Sequence, residues 1–299
     1  MKSKINLFVT AMILFSAITL VSCKKENSTQ SPVVNDQEVL TMSEENTNAD
    51  AEYDDIAEIG LSAGADMETA PNMGTEVTGT AAGGGLGIRP DLFEDLKFKI
   101  GPCTTFEVSN DSTFPKTLTI NYGDGCVCRD GKFRKGVVVM HFSAPIRQAG
   151  AVLTITLKDY YVNRAHIEGK KVITNLTENG VHKYATLVDD GKVTWPNGRG
   201  FKYEGAKVVT QLSGMDTRTV RDDVYSIEGR NKTSYANGNV VVKDTETALI
   251  KPVACAWIVK GLLKIRINDR TIYINFGNGD CDNKAILKWA NGEKEITLP

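Results

Sequence analysis

The hydrophobic and polar positions of this chain alternate along most of its length. After Gly101, apolar residues alternate with polar ones in short runs rich in β-branched side chains, most clearly over 137–142 and 152–157. Similar runs lie at 171–173, 185–188, 207–212, 240–242, 262–267, 271–276 and 285–289. A period of two is typical of strands that bury one face. Beyond Gly101, no segment shows the 3.6-residue period of an amphipathic helix.

Turn signals separate these runs. Asn-Gly or Asp-Gly pairs lie at 130–131, 179–180, 190–191, 197–198, 237–238 and 291–292. Such pairs tolerate the positive φ angles of tight hairpin turns. We therefore predict an all-β antiparallel domain over residues 91–299, rich in hairpins, which forms either a sandwich or an elongated open sheet.

The segment before this domain has a different composition. Between Glu26 and Gly85 there are thirteen acidic residues and no Lys or Arg, whereas the chain from Leu86 onward has 24 acidic and 31 basic residues. Like charge with little apolar surface favours disorder. We expect a disordered acidic tether over 23–90, with a short helix at 53–61. The acidity is explained by solubility or, alternatively, by binding of a cation or a basic partner.

The first residues look like an export signal. Two lysines precede an apolar run from about residue 5 to residue 21, which is borderline short for the roughly 20 residues of a spanning helix. The run ends in Leu-Val-Ser-Cys at 20–23, a string that resembles the lipobox of bacterial lipoprotein signal peptides. The resemblance implies that residues 1–22 are removed and that Cys23 is lipidated, with palmitate among its acyl chains. The alternative is an uncleaved N-terminal anchor.

An internal repeat appears inside the β-domain. Residues 116–125 and 270–279 share five of ten positions, and four more are conservative. Each copy has one cysteine upstream and at least one just downstream. A duplicated unit of strand, Gly-x-Gly turn and paired cysteines is therefore predicted over about 103–136 and 255–289.

Five cysteines follow the leader, so at least one of them has no partner within the chain. The repeat predicts a Cys255–Cys281 disulfide bond. It also predicts a bond from Cys103 to Cys128, with Cys126 as the alternative partner. Each bond closes a loop of about 25 residues and adds on the order of 3 kcal/mol to the free energy of unfolding. Disulfides fit the oxidising compartment that an export signal implies.

Several longer strings resemble a group of Bacteroidota-type outer-membrane lipoproteins. They are the residues at 130–136, 222–225, 256–259 and 279–285. The resemblance spans about 103–299 and implies a location and a fold but no activity. The implied location is the outer membrane, with the periplasmic or the cell-surface side left open.

No set of residues in the sequence predicts a reaction. Hydrolysis needs a nucleophile with a base, or paired carboxylates, in one pocket, and no motif places them so. We therefore expect a non-enzymatic protein without a cofactor, which binds a ligand or partner or is structural. The alternative is a secreted-type hydrolase acting on glycan or peptide. Nucleic-acid binding is disfavoured, because the basic residues are scattered.

Two candidate ligand sites remain. Trp195, Phe201 and Tyr203 flank a predicted turn and are a candidate aromatic platform for glycan, with packing of an edge strand as the alternative. Asp280 and Asp282 place oxygen ligands at alternate positions, which is a weak signal for calcium, and a turn stabilised by these side chains explains them as well. The expected partners are the membrane, through the lipid anchor, and a glycan or protein of the envelope.

Overall fold

The structure is a computed structural model that describes residues 34–69, 77–80, 96, 100–109, 113–217, 219 and 221–298. Within these residues it contains one long helix, α1 (Asp36–Thr69), and fifteen strands in a single antiparallel sheet. The predicted all-β class is confirmed. Of the two predicted arrangements, the open sheet is the one that forms.

The strands follow one another in the sheet nearly as they do in the sequence. They are β1 (Val77–Thr80), β2 (Thr105–Val108), β3 (Lys116–Asn121), β4 (Cys126–Val127), β5 (Phe133–Phe142), β6 (Val152–Val162), β7 (Ala165–Asn175), β8 (Lys183–Thr194), β9 (Gly200–Ser213), β10 (Val224–Tyr235), β11 (Val240–Pro252), β12 (Lys260–Ile267), β13 (Arg270–Asn278), β14 (Lys284–Trp289) and β15 (Gly292–Thr297). Only β4, which pairs with β5, lies off this order among the described strands. Five of the six predicted turns join neighbouring strands, whereas Asp190-Gly191 lies within β8, at the register shift against β9. Asn179 and Gly180, between β7 and β8, both have positive φ, at 53° and 77°.

The sheet bends along a series of β-bulges. The register shifts within all eight strand pairs between β5 and β13. A bulge bends its strand and increases the local twist. At two of them a glycine is required, since a Cβ atom on Gly136 or Gly261 would lie 2.0 or 2.6 Å from a neighbouring carbonyl oxygen and φ is 90° or 123°. The sheet therefore curls and has a concave inner face and a convex outer face.

Helix α1 lies against the inner face. The predicted disorder of the acidic segment is wrong over Asp36–Thr69, and the short helix predicted at 53–61 is the middle of a helix of 34 residues. It is also wrong over Val77–Thr80, which form β1 and pair with β2. This helix contains eleven acidic residues and no basic one. Their basic partners are on the sheet and far away in the sequence. Arg134, for example, pairs with Asp55 although 79 residues separate them in the chain. Tertiary contacts of this kind stabilise a helix that local composition disfavours.

The start of α1 is fixed by a local motif. Asn35 caps the helix, because its side-chain oxygen accepts a hydrogen bond of 2.8 Å from the backbone nitrogen of Glu38. Val34, before the cap, and Val39, in the first turn, are buried in the same apolar cluster. This is the arrangement of a hydrophobic staple. Residues 34–39 therefore contain a helix start that can be read from the sequence.

The sheet surrounds the helix. Glu44 contacts β15, Glu45 contacts the turn between β8 and β9, and Asn46 contacts β10. Consecutive side chains of an α-helix point about 100° apart, so these contacts lie on different sides of α1. Glycines let the helix approach closely: a Cβ atom on Gly60 or Gly64 would lie 2.8 or 2.6 Å from side-chain carbons of the sheet and its loops.

Candidate functional site

Charged side chains are buried between α1 and the inner face of the sheet. We call five of them the inner ion cluster: Asp50, Asp54, Lys171, Lys207 and Lys243. The lysines come from β7, β9 and β11, which are every second strand, and residue alternation places each of them on the inner face. The side chains of Lys171 and Lys243 are each 3% exposed. Buried ammonium groups need carboxylate partners, and the helix provides them.

Each carboxylate of the inner ion cluster is shared by two lysines. The Nζ atom of Lys207 lies 2.6 Å from Asp50 Oδ1 and 2.7 Å from Asp54 Oδ2. Lys243 Nζ lies 2.5 Å from Asp50 Oδ2, and Lys171 Nζ lies 3.3 Å from Asp54 Oδ1. Lys171 also donates a hydrogen bond of 2.7 Å to a backbone carbonyl of α1. The cluster thus joins one helix to three strands.

Burial and charge act in opposite directions on the pKa values of this cluster. Burial opposes ionisation of Asp50, but the attraction of Lys207 and Lys243 outweighs it and holds the pKa of this carboxyl well below its usual range. Burial lowers the pKa of Lys171 and of Lys243. For Lys207, the two neighbouring carboxylates overcome burial and raise the pKa. The ionised form of Asp50 is therefore part of the fold.

The sequence contained a signal for this cluster that was missed. Lys171, Lys207 and Lys243 are spaced 36 residues apart, which is the length of one two-strand unit of the sheet. Alternation alone marks these positions as inner ones, where lysine is rare unless paired. A regular spacing of inward-facing lysines indicates a shared anionic partner, although it does not say which segment supplies it.

A second buried ion pair lies next to β4. The Arg134 guanidinium is fully buried and binds Asp130 through two hydrogen bonds of 2.9 and 2.6 Å. It also donates a bond of 2.6 Å to Asp55 of α1. Burial lowers the pKa of Arg134, but the nearby carboxylates more than offset this and raise it. Such two-pronged arginine–carboxylate pairs are among the stronger polar contacts in proteins.

The N-terminal part of α1 is held by further ion pairs. Arg199, in the turn between β8 and β9, binds Glu38 at 2.7 Å and Glu45 at 2.6 Å. Arg270, at the start of β13, pairs with Asp36. Hairpin turns of the sheet therefore lie at the N-terminal end of α1.

The two disulfide bonds connect the cysteines of the predicted repeat. Cys255 is bonded to Cys281, as predicted, with their Cα atoms 5.8 Å apart. Cys103 is bonded to Cys126, the alternative partner, and not to Cys128. Cys128 lies beyond the two-residue strand β4, buried close to Arg134, and keeps a free thiol whose pKa is raised by burial.

The predicted aromatic platform for glycan is wrong. Phe201 and Tyr203 occupy inner positions of β9 and are only 4% and 1% exposed. The Tyr203 ring stacks on Tyr53 of α1 at 4.7 Å, and its hydroxyl donates to Asp50. Trp195 packs edge-on against Phe201 at 6.3 Å and is partly buried. These rings therefore belong to the core.

The remaining predicted residues have simpler surroundings. Asp282 accepts a hydrogen bond of 3.0 Å from the Lys284 backbone nitrogen, which is the turn interaction considered as the alternative to calcium at Asp280 and Asp282. In the described part of the chain, no three His, Cys, Asp or Glu side chains are grouped so that they could hold a metal ion.

The leader and Cys23 lie outside the described residues. Among those residues, no helix is both long and apolar enough to cross a membrane.

The outer face carries a cluster of exposed apolar side chains that sequence analysis did not single out. Nine large hydrophobic side chains are exposed among the described residues, and six of them lie on or beside β7 to β9. We call these six the outer apolar patch: Leu176, Val181, Leu187, Val208, Leu212 and Met215. Leu187 and Val208 lie on adjacent strands whose register places them diagonally on the same face. A groove of about 650 Å³ begins at Leu187 and is lined beyond it by charged side chains of β8 to β10.

The outer apolar patch and the start of α1 lie towards opposite ends of β8 and β9. The end of β8 next to Arg199 lies beside the N-terminal end of the helix, whereas β8 begins at Lys183, beside Val181 and Leu212. The distance from Val181 to the far end of β8 is roughly 40 Å at 3.3 Å per residue.

No known protein family, curated protein or solved structure matches this chain.

Proposed function

We propose that this chain is a non-enzymatic, lipid-anchored protein of the cell envelope that is held in the outer membrane through Cys23 and binds another envelope protein through the outer apolar patch. The observation that carries the proposal is the patch itself. Six exposed aliphatic or thioether side chains on neighbouring strands and their loops are typical of a protein-binding surface. Glycan platforms, in contrast, consist of exposed aromatic rings.

The position of the patch relative to the anchor supports this proposal. Only twelve residues lie between Cys23 and Asp36, where α1 begins. In this proposal, the N-terminal end of the sheet-bound helix is the part of the described fold nearest to the anchor along the chain, and the patch lies near the other end of β8 and β9.

The non-enzymatic part of the proposal is supported by the state of the charged residues. The most closely grouped carboxylates and lysines are those of the inner ion cluster, which are buried and paired with one another. A substrate would have to displace α1 to reach them. In this proposal, the inner ion cluster holds α1 against the sheet.

The anchor is tested by metabolic labelling with an alkyne analogue of palmitate. We expect the wild-type chain to be labelled and to sediment with outer membranes, and the variant Cys23→Ser to lose both properties. Cys128→Ser is the matched control and should keep both, since that thiol is buried. Label retained by Cys23→Ser would contradict the lipid anchor.

Partner binding is tested separately by photo-crosslinking in intact cells. A photoreactive amino acid at Leu212 should give one defined adduct with another envelope protein, and Leu187→Glu in the same chain should reduce its yield several-fold. Ile286, an exposed residue on the outer face of β14, is the control position. Equal adducts at both positions, or none at Leu212, would contradict the proposed surface and leave the anchor result unaffected.

A further inference from the structure

A small cavity lies inside the fold next to the inner ion cluster. Its polar lining residues are Asp50, Lys207, Arg230, Asn231, Lys243 and Thr245, and the rest of the lining is Gly229 and apolar residues of β10 to β12. The space holds roughly one particle the size of a water molecule.

The polar lining of this cavity is rich in hydrogen-bond donors. Thr245 Oγ1 accepts a bond of 3.1 Å from the backbone nitrogen of Gly229, so its hydroxyl hydrogen is left to donate. The Asn231 side-chain oxygen accepts from Asn46, which leaves the Asn231 amide hydrogens as donors. Lys243 Nζ, although close to Asp50, has no well-aligned hydrogen bond.

Acceptors are scarce in the same lining. Asp50 is the carboxylate among the lining residues, and its oxygens already face two ammonium groups and the Tyr203 hydroxyl. The inner ion cluster contains three lysines and two aspartates, which leaves one positive charge in excess when all five are ionised. An unbalanced buried charge is costly in a medium of low dielectric constant.

We propose that this cavity is a binding site for a small monovalent anion of the size of chloride, held by Lys207, Lys243, Asn231 and Thr245. The anion balances the charge of the inner ion cluster and accepts the hydrogen bonds that the lining offers. The site is independent of the proposed lipid anchor and of the outer apolar patch.

The test compares thermal unfolding of the full chain in detergent, in sodium chloride and in sodium gluconate of equal ionic strength. Gluconate is too large for the cavity. Chloride should raise the midpoint in a saturable manner, because binding to the folded state alone stabilises it in proportion to ln(1 + [Cl⁻]/Kd). Crystals grown with bromide should show an anomalous scattering peak next to Lys243 and Thr245.

Two variants make the result specific. Thr245→Val keeps the side-chain shape but removes a donor, and it should reduce apparent chloride affinity several-fold while the protein still folds. Lys243→Met should abolish the chloride dependence. Thr271→Val, on the outer face of β13, is the control and should keep the full effect. Identical midpoints in both salts, or a cavity without bromide, would show that water alone occupies the site and would overturn the proposal.

Discussion

Lys170 and Lys171 are neighbours on β7 but lie in different environments. Lys170 points to the outer face, is 46% exposed and lies 3.4 Å from the carboxylate of Asp189. Lys171 points to the inner face, is 3% exposed and lies 3.3 Å from the carboxylate of Asp54. The two ion pairs are almost equal in length, so distance does not distinguish them.

Solvent is what distinguishes these two pairs. On the outer face, water screens both charges, and such a pair contributes about 0–1 kcal/mol to stability. On the inner face, each charge has lost its water, and removing its partner leaves an uncompensated buried charge. The inner ion cluster therefore makes the stability of the fold depend on the helix that supplies its carboxylates. Substitutions in the outer pairs should have little effect on stability.

The largest expected effect comes from removing a shared carboxylate. Asp50→Ala leaves Lys207 and Lys243 without their common partner, and we expect the free energy of unfolding to fall by about 3–5 kcal/mol. Urea denaturation followed by circular dichroism measures it. Asp189→Ala, on the outer face, is the matched control and should cost no more than about 0.5 kcal/mol. Equal costs would mean that the inner and outer pairs do not differ.

A smaller effect is expected for Lys171→Met. This variant removes one cation, but Asp54 keeps its contact with Lys207 at 2.7 Å, so no carboxylate is left alone. We expect a loss of about 2 kcal/mol, below the cost of Asp50→Ala. A loss equal to that of Asp50→Ala would indicate that Lys171, rather than Lys207, is the main partner of Asp54.

The sheet could be predicted from the sequence because its determinants are local. The alternation of polar and apolar residues and the Asn-Gly turns involve residues that are close together in the sequence. The repeat predicted the disulfide bond between Cys255 and Cys281. The choice between Cys126 and Cys128 could not be made, because residues two apart in an extended segment point to the same side and the sequence does not show which of them lies nearer to Cys103.

The helix and its ion pairs could not be predicted, because their cause is not local. An acidic segment without basic residues looks disordered when it is considered alone, and its partners are 77 to 80 residues away in the pairs of Lys132 and Arg134 with Glu52 and Asp55. The short helix predicted at 53–61 was the part of it that could be recognised, and the cap at Asn35 and the 36-residue spacing of the inner lysines are further signals in the sequence. The exposure predicted for Trp195, Phe201 and Tyr203 was wrong for a related reason. A residue beside a turn can still face the helix, and the sequence does not show this.

Lowering the pH should reduce the contribution of Asp50 to the free energy of unfolding. The pKa of Asp50 is lower in the folded state than the value of about 3.9 in an unfolded chain. Its contribution is therefore complete above that value and is lost as pH falls towards the folded-state pKa, by at most about 1.4 kcal/mol per pH unit. Glu52, whose pKa is raised by burial, acts in the opposite direction. The difference between wild type and Asp50→Asn in urea titrations from pH 5 to pH 3 isolates the Asp50 share, and it should shrink as pH falls.

The smallest effect is expected for Lys170→Met, and it is the sharpest control for the comparison. The substitution is chemically the same as Lys171→Met and is made one residue away on the same strand, so strand propensity and side-chain volume change equally. Because the Lys170 pair is exposed to water, the free energy of unfolding should change by less than about 0.5 kcal/mol. The difference between the two variants then measures the effect of burial alone. If Lys170→Met and Lys171→Met had the same effect, the fold would not depend on which face of β7 carries the charge, and the helix would not be held by the inner ion cluster.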